Sequence, residues 1–118
     1  VPPRLVVAFG ECAAATAAME PAAALSVDRP HALAVPAAKI RAGKAATVVA
    51  RTAHQVLGAM GYTHEHALHQ YTRRIWSWRD EFGAEAEWSR KLGAQARQHA
   101  QTGNPDGLWD WITVKGIA

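Results

Sequence analysis

The chain has 118 residues, 13 Lys and Arg against 10 Asp and Glu, and a net charge of +3, a length that supports one hydrophobic core and not two. Alanine is abundant and β-branched residues are scattered, which disfavours a sheet-built protein and predicts an all-α one. The single cysteine excludes an intrachain disulfide, and no uninterrupted apolar run approaches the roughly 20 residues of a membrane span, so a cytoplasmic protein is expected.

Pro2 and Pro3 suit a helix start, and Leu5, Phe9, Cys12, Ala15 and Met19 recur at spacings of three and four. This predicts a first helix to about Met19, with Cys12 a buried structural thiol and Pro21 ending or kinking the helix. Residues 26–30, Ser-Val-Asp-Arg-Pro, read as a connection. A second helix is expected from within residues 31–36 to about Met60, apolar along Val49, Ala53, Val56 and Met60 and polar along Lys44, Thr47, Arg51 and Gln55. Gly58 and Gly61 then turn the chain, because glycine admits backbone geometries closed to other residues.

Thr63 is expected to cap a third helix starting near residue 64, with Leu68, Tyr71, Ile75, Trp78 and Phe82 as its buried stripe and Gly83 at its end. A fourth helix turns Trp88, Leu92, Ala96 and His99 inward and Glu87, Arg90, Lys91 and Arg97 outward. The core then has four walls, an antiparallel bundle of about four helices. Residues 103–107, Gly-Asn-Pro-Asp-Gly, form a turn signal, and Leu108, Trp109, Trp111 and Ile112 form an apolar tail that should dock on something, a neighbouring subunit being one option. The whole of 1–118 is therefore expected to be one helical domain, with 101–118 as its turn and tail. The opening at Val1 suggests processing or a partial chain.

Charge divides unevenly, the basic excess lying in residues 1–60. Arg29, Lys39, Arg41, Lys44 and Arg51 could meet an anionic ligand such as a phosphate, although a solvated helix face is the commoner cause of such a run.

Residues 53–63 read Ala-His-Gln-Val-Leu-Gly-Ala-Met-Gly-Tyr-Thr, and this resembles the acyl-CoA dehydrogenase signature Ala-x-Gln-Ile-x-Gly-Gly-x-Gly-Tyr-Thr, which joins two helices of that family's C-terminal bundle. Glu65 falls where the family has an acid, and detailed likeness covers about residues 50–93. The resemblance implies the C-terminal bundle of a flavin-dependent enzyme that desaturates acyl-CoA thioesters. It further implies contacts from Gln55, Gly58 and Ala59 to the adenosine and pyrophosphate end of flavin adenine dinucleotide (FAD), often across a dimer interface. Ala59 replaces the second glycine of the family's pair, and Arg74 stands where an Asp is usual. Helix ends offer free backbone donors and small residues admit a bulky anion, so the implied contact is chemically sound.

The family's catalytic carboxylate, counted without gaps from Gln55, falls on Phe82. Glu81 lies one place earlier and is the candidate base, although one residue rotates a helical side chain by roughly 100°; a base from an earlier helix or a partner subunit, or a subunit without chemistry, stay open. The family's β-domain and its Arg-x-x-Phe-Gly helix are not in this sequence, so the chain alone is expected to be inactive. It should act in a dimer or tetramer with the remaining dehydrogenase domains and an acyl-CoA substrate.

His64, Glu65, His66 and His69 lack the i, i+4 histidine pair of a zincin helix, and no metal is expected. Residues 73–79, Arg-Arg-Ile-Trp-Ser-Trp-Arg, mix base and aromatic as nucleic-acid surfaces can. Yet Trp78 is expected in the core, and Asp80 and Glu81 oppose a phosphate track. A non-catalytic interaction module, including a weak nucleic-acid binder, is the alternative function.

Overall fold

The diproline opens the first helix as predicted: Pro2 is its N-cap and Pro3 its first residue, where the missing N–H costs nothing. In the computed structural model, which describes residues 2–101 and 103–113, the elements are α1 (Pro3–Leu25), α2 (Ala34–Gly58), α3 (Tyr62–Asp80), α4 (Glu85–Ala100) and α5 (Gly107–Ile112). All the regular elements among the described residues are helices, as expected.

Pro21 does not end α1, which runs on to Leu25 with the proline inside it. The proline's φ is already helical, and burial of Ala22 just beyond it stabilises the last turn. The expected buried face of α1 holds at Ala15 and, half-buried, at Leu5, but is otherwise rotated. Ala8, Ala15 and Ala22 are buried, while Phe9 is 66% and Met19 53% exposed and Cys12 is an exposed thiol.

The reason lies in α2, whose Ala38, Ala45 and Thr52 are likewise buried and likewise seven residues apart. Two stripes of small residues at heptad spacing let antiparallel helices approach closely, and that contact wins over a wider face of large residues. The ion pair between Arg41 and Glu11 and the bond from Arg4 to Gln55 hold the two helices in this register. By length and composition α1 is apolar enough to cross a membrane, although Arg4, Glu11 and Glu20 interrupt its apolar run and Glu11 is spent on α2.

His31 links α1 to α2. Its N–H donates to Ser26 Oγ at 3.0 Å, and its Nδ1 accepts from the amides of Leu33 and Ala34 at 3.3 and 3.1 Å, so it serves as the N-terminal cap that α2 otherwise lacks.

The bundle does not have four equal walls. Helix α2 is its hub, packing against α1, α3 and α4, while α5 packs on α4. Gly43 marks where the start of α4 crosses α2, since a Cβ there would stand 3.4 Å from that of Glu85. The inward residues of α4 are as expected, with Trp88, Leu92, Ala96 and His99 half-buried and Glu87, Arg90, Lys91 and Arg97 exposed.

Helix α3 departs from expectation. Its centre is Thr72, 1% exposed, flanked by half-buried Leu68 and Ile75, whereas Tyr71, Trp78 and Phe82 are 63%, 63% and 86% exposed. The polar side of α2 draws Thr72 inward through a hydrogen bond with His54, which turns the aromatic edge of α3 outward.

The apolar tail docks within the chain. Trp111 is buried and its ring stacks on His99 at 4.6 Å, while Trp109 stays 65% exposed. Residues 114–118 of that tail lie outside the described residues.

Candidate functional site

The corner between α2 and α3 is built by two glycines. Helix α2 ends at Gly58, Ala59 keeps helical angles, and the amides of Met60 and Gly61 bond back to the carbonyls of Leu57 and Gly58. Gly61 then takes φ 129°, a region open to glycine, and reverses the chain into Tyr62. No atom lies within 4 Å of where a Cβ on Gly61 would stand, so the main chain here can be approached.

Thr63 does not cap α3. Gly61 holds the cap position without any side-chain bond, and Thr63 lies inside the first turn. The reversal at Gly61 starts the helix two residues earlier than expected and leaves the first amides of α3 without intrahelical partners.

Gln55 stands on the ridge between two grooves. One, of about 670 Å³, lies between α2 and α3 and is lined by Arg51, His54, Gln55, Glu65, Trp76 and Arg79, among others. The second lies between α1 and α2 and shares Arg51 and Gln55. Arg4 Nη1 donates to Gln55 Oε1 at 3.0 Å, which orients the amide and directs its NH₂ donors elsewhere.

Of the five basic residues picked out for an anion, two are used internally. Arg41 pairs with Glu11. Lys39 Nζ donates to the carbonyls of Trp78, Arg79 and Glu81 at 3.2, 2.9 and 2.7 Å, closing the C-terminal end of α3. Arg29, Lys44 and Arg51 are exposed.

The candidate base and its neighbour lie at the far end of α3. Glu81 is the C-cap residue, exposed, with its carbonyl held by Lys39. Phe82, at the family's base position, has φ 60°, and its carbonyl accepts from Trp88 Nε1 at 3.1 Å. Gln55, Gly58 and Ala59 therefore cluster at one end of α3, while Glu81 is at the other.

Sequence reasoning missed a cluster beside the corner. His54, Glu65 and His69 each place one ligand atom within 4.8 Å of the other two. The i, i+3 pair of His66 and His69 is not what forms it, since His66 stacks on Tyr62 at 6.0 Å. The available signal was His54, one turn before a glycine corner that folds α3 back alongside it. The basic-aromatic stretch is also more open than expected, with Trp76 and Trp78 45% and 63% exposed and Arg73 and Arg74 exposed.

Comparison with known proteins gives one family. The model of the acyl-CoA dehydrogenase C-terminal domain matches residues 7–86, which covers most of α1, all of α2 and α3 and the start of α4. No curated protein and no solved structure matches the chain.

Proposed function

Because this chain belongs to the acyl-CoA dehydrogenase C-terminal domain family, we infer that it contributes the FAD-binding corner and an assembly surface to a flavin-dependent enzyme that desaturates acyl-CoA thioesters. The observation that carries this reading is the open main chain at Gly61, at the corner after Gly58 and Ala59, with Gln55 oriented beside it.

The residues fit the cofactor's diphosphate end. Gln55 offers its NH₂ donors, Gly58 and Ala59 expose main chain next to the free amides of α3, and Arg51 supplies positive charge in the adjoining groove. Bound flavin supplies the hydride acceptor for the β-hydrogen. The proton α to the thioester must go to a carboxylate, and Glu81 is the one this chain offers next to the family's base position.

Exposed Val6, Phe9 and Met19 on α1 and Tyr71, Trp78 and Phe82 on and after α3 form apolar surface that the remaining dehydrogenase domains or partner subunits would cover. This reading makes the protein a cytoplasmic dimer or tetramer, and its recovery in the membrane fraction through α1 would overturn that placement.

The test is flavin retention in the protein assembled with its other dehydrogenase domains. Gln55→Ala should weaken FAD binding, read from flavin absorbance and fluorescence; unchanged retention counts against the corner. In the same assembly Glu81→Gln should lower kcat by about 10²–10⁴-fold, the usual worth of a positioned base. An unchanged kcat assigns the base to another segment.

A second reading draws on exposed Arg73, Arg74, Trp76 and Trp78, an interaction module with weak affinity for single-stranded nucleic acid. Salt-dependent binding of an oligonucleotide, lost in Trp78→Ala, would favour it.

A further inference from the structure

His54 leaves α2 one turn before its end, and Glu65 and His69 stand four residues apart on one face of α3. The glycine corner folds these helices together, so a pair from one helix meets a single residue from the other. The rings of His54 and His69 are 4.5 Å apart at 47°, and His54 Nδ1 is 3.8 Å from Glu65 Oε1. That separation is too long for a direct hydrogen bond. The groups converge without satisfying one another.

The remaining nitrogen of His54 is engaged. Nε2 lies 2.8 Å from Thr72 Oγ1, and Thr72 is the most deeply buried side chain described. With Nε2–H donating to that hydroxyl, Nδ1 keeps its lone pair on the side of Glu65. An outer hydrogen bond of this kind fixes the tautomer and ring orientation of metal-binding histidines. His54 is half-buried, Glu65 more open and His69 exposed, so one donor is anchored in the bundle while the other two face the solvent.

We propose that His54, Glu65 and His69 bind one divalent cation of the zinc class, clamping the end of α2 to the start of α3, with water in the fourth position. Two imidazoles and one carboxylate form a borderline donor set that suits Zn²⁺, and three protein ligands leave one tetrahedral position open. Tetrahedral bonds of about 2.0–2.2 Å put ligand atoms roughly 3.3–3.6 Å apart, so a cluster within 4.8 Å must draw in by no more than about 1.5 Å. Rotation of the exposed His69 side chain supplies that movement. Gly58 lies against the same carboxylate, the position of its missing Cβ being 3.5 Å from Glu65 Oε2.

The proposal rests on these side chains and not on the cofactor reading. Its test uses the full chain without a purification tag, loaded with Zn²⁺, desalted and assayed for metal. One zinc per chain is expected, as is a melting temperature that rises with Zn²⁺. Co²⁺ in its place should give the intense visible bands of a four-coordinate ion.

His69→Ala and Glu65→Gln should each lose the ion while keeping the helical circular dichroism, as both side chains are open to solvent. Thr72→Val should weaken binding by about 10–100-fold, as loss of an outer-shell partner does. His64→Ala and His66→Ala should retain it. Failure of the full chain to hold zinc overturns the site, and so does zinc that survives both His69→Ala and Glu65→Gln. Flavin retention is read separately and is not at stake in either result.

Discussion

The two flanks of α2 are held by different physics. Toward α1 it presents Ala38, Ala45 and Thr52 to the alanines of the partner helix, a close-packed stripe flanked by the Arg41–Glu11 ion pair and the Arg4–Gln55 hydrogen bond. Toward α3 and α4 it presents Lys39, Thr47 and His54, whose bonds reach three terminal carbonyls, the Arg79 guanidinium and the Thr72 hydroxyl. The close-packed stripe has no room for added volume at its centre, whereas the polar side opens the groove of about 670 Å³ between α2 and α3. The candidate cofactor corner and the histidine cluster both lie on that second side.

The comparison can be broken most directly on the packed side. Ala45→Leu should cost about 1–3 kcal/mol by overpacking, read as a lower denaturant midpoint at unchanged slope. A cost near zero would mean that α1 is not closely seated. On the polar side, Lys39→Met should cost about 1–2 kcal/mol, since it removes charge-assisted bonds from a partly exposed lysine at a helix end. A loss of helicity confined to the end of α3, by hydrogen exchange, would identify the cause.

A gain is expected between α3 and α4. Phe82 holds a left-handed φ while 86% exposed, so Phe82→Gly relieves strain at little loss of burial and should stabilise by up to about 1 kcal/mol. Smallest of all, Cys12→Ser should change stability by less than about 0.5 kcal/mol, because the thiol is exposed. Fast labelling of Cys12 by a thiol reagent in the folded chain checks the same point, and slow labelling after assembly would show what covers α1.

Several parts of this arrangement were legible in the residues. The inward face of α4, the break at Gly58 and Gly61, and the turn at 103–107 all follow from local rules of periodicity and glycine geometry, and Asn104 indeed closes that turn on Gly107. The family motif placed Gln55 and the corner together. The buried stripes of α1 and α3 were not legible in the same way. Counting large apolar residues selected Phe9, Met19, Trp78 and Phe82, and all four are exposed. Nor could the count foresee that His54 would meet His69 and not leave it to His66.

Periodicity and chain-breaking residues by themselves determined that the protein is helical and where α2 gives way to α3, and the motif at residues 53–63 carried the resemblance to its family. These are properties of neighbouring residues, and backbone sterics act on them locally. Only the tertiary structure decided which azimuth of each helix is buried, because that depends on the surface the helix meets. Alanine stripes seven apart had to find each other across α1 and α2, and Thr72 had to find His54, before any residue had an inside.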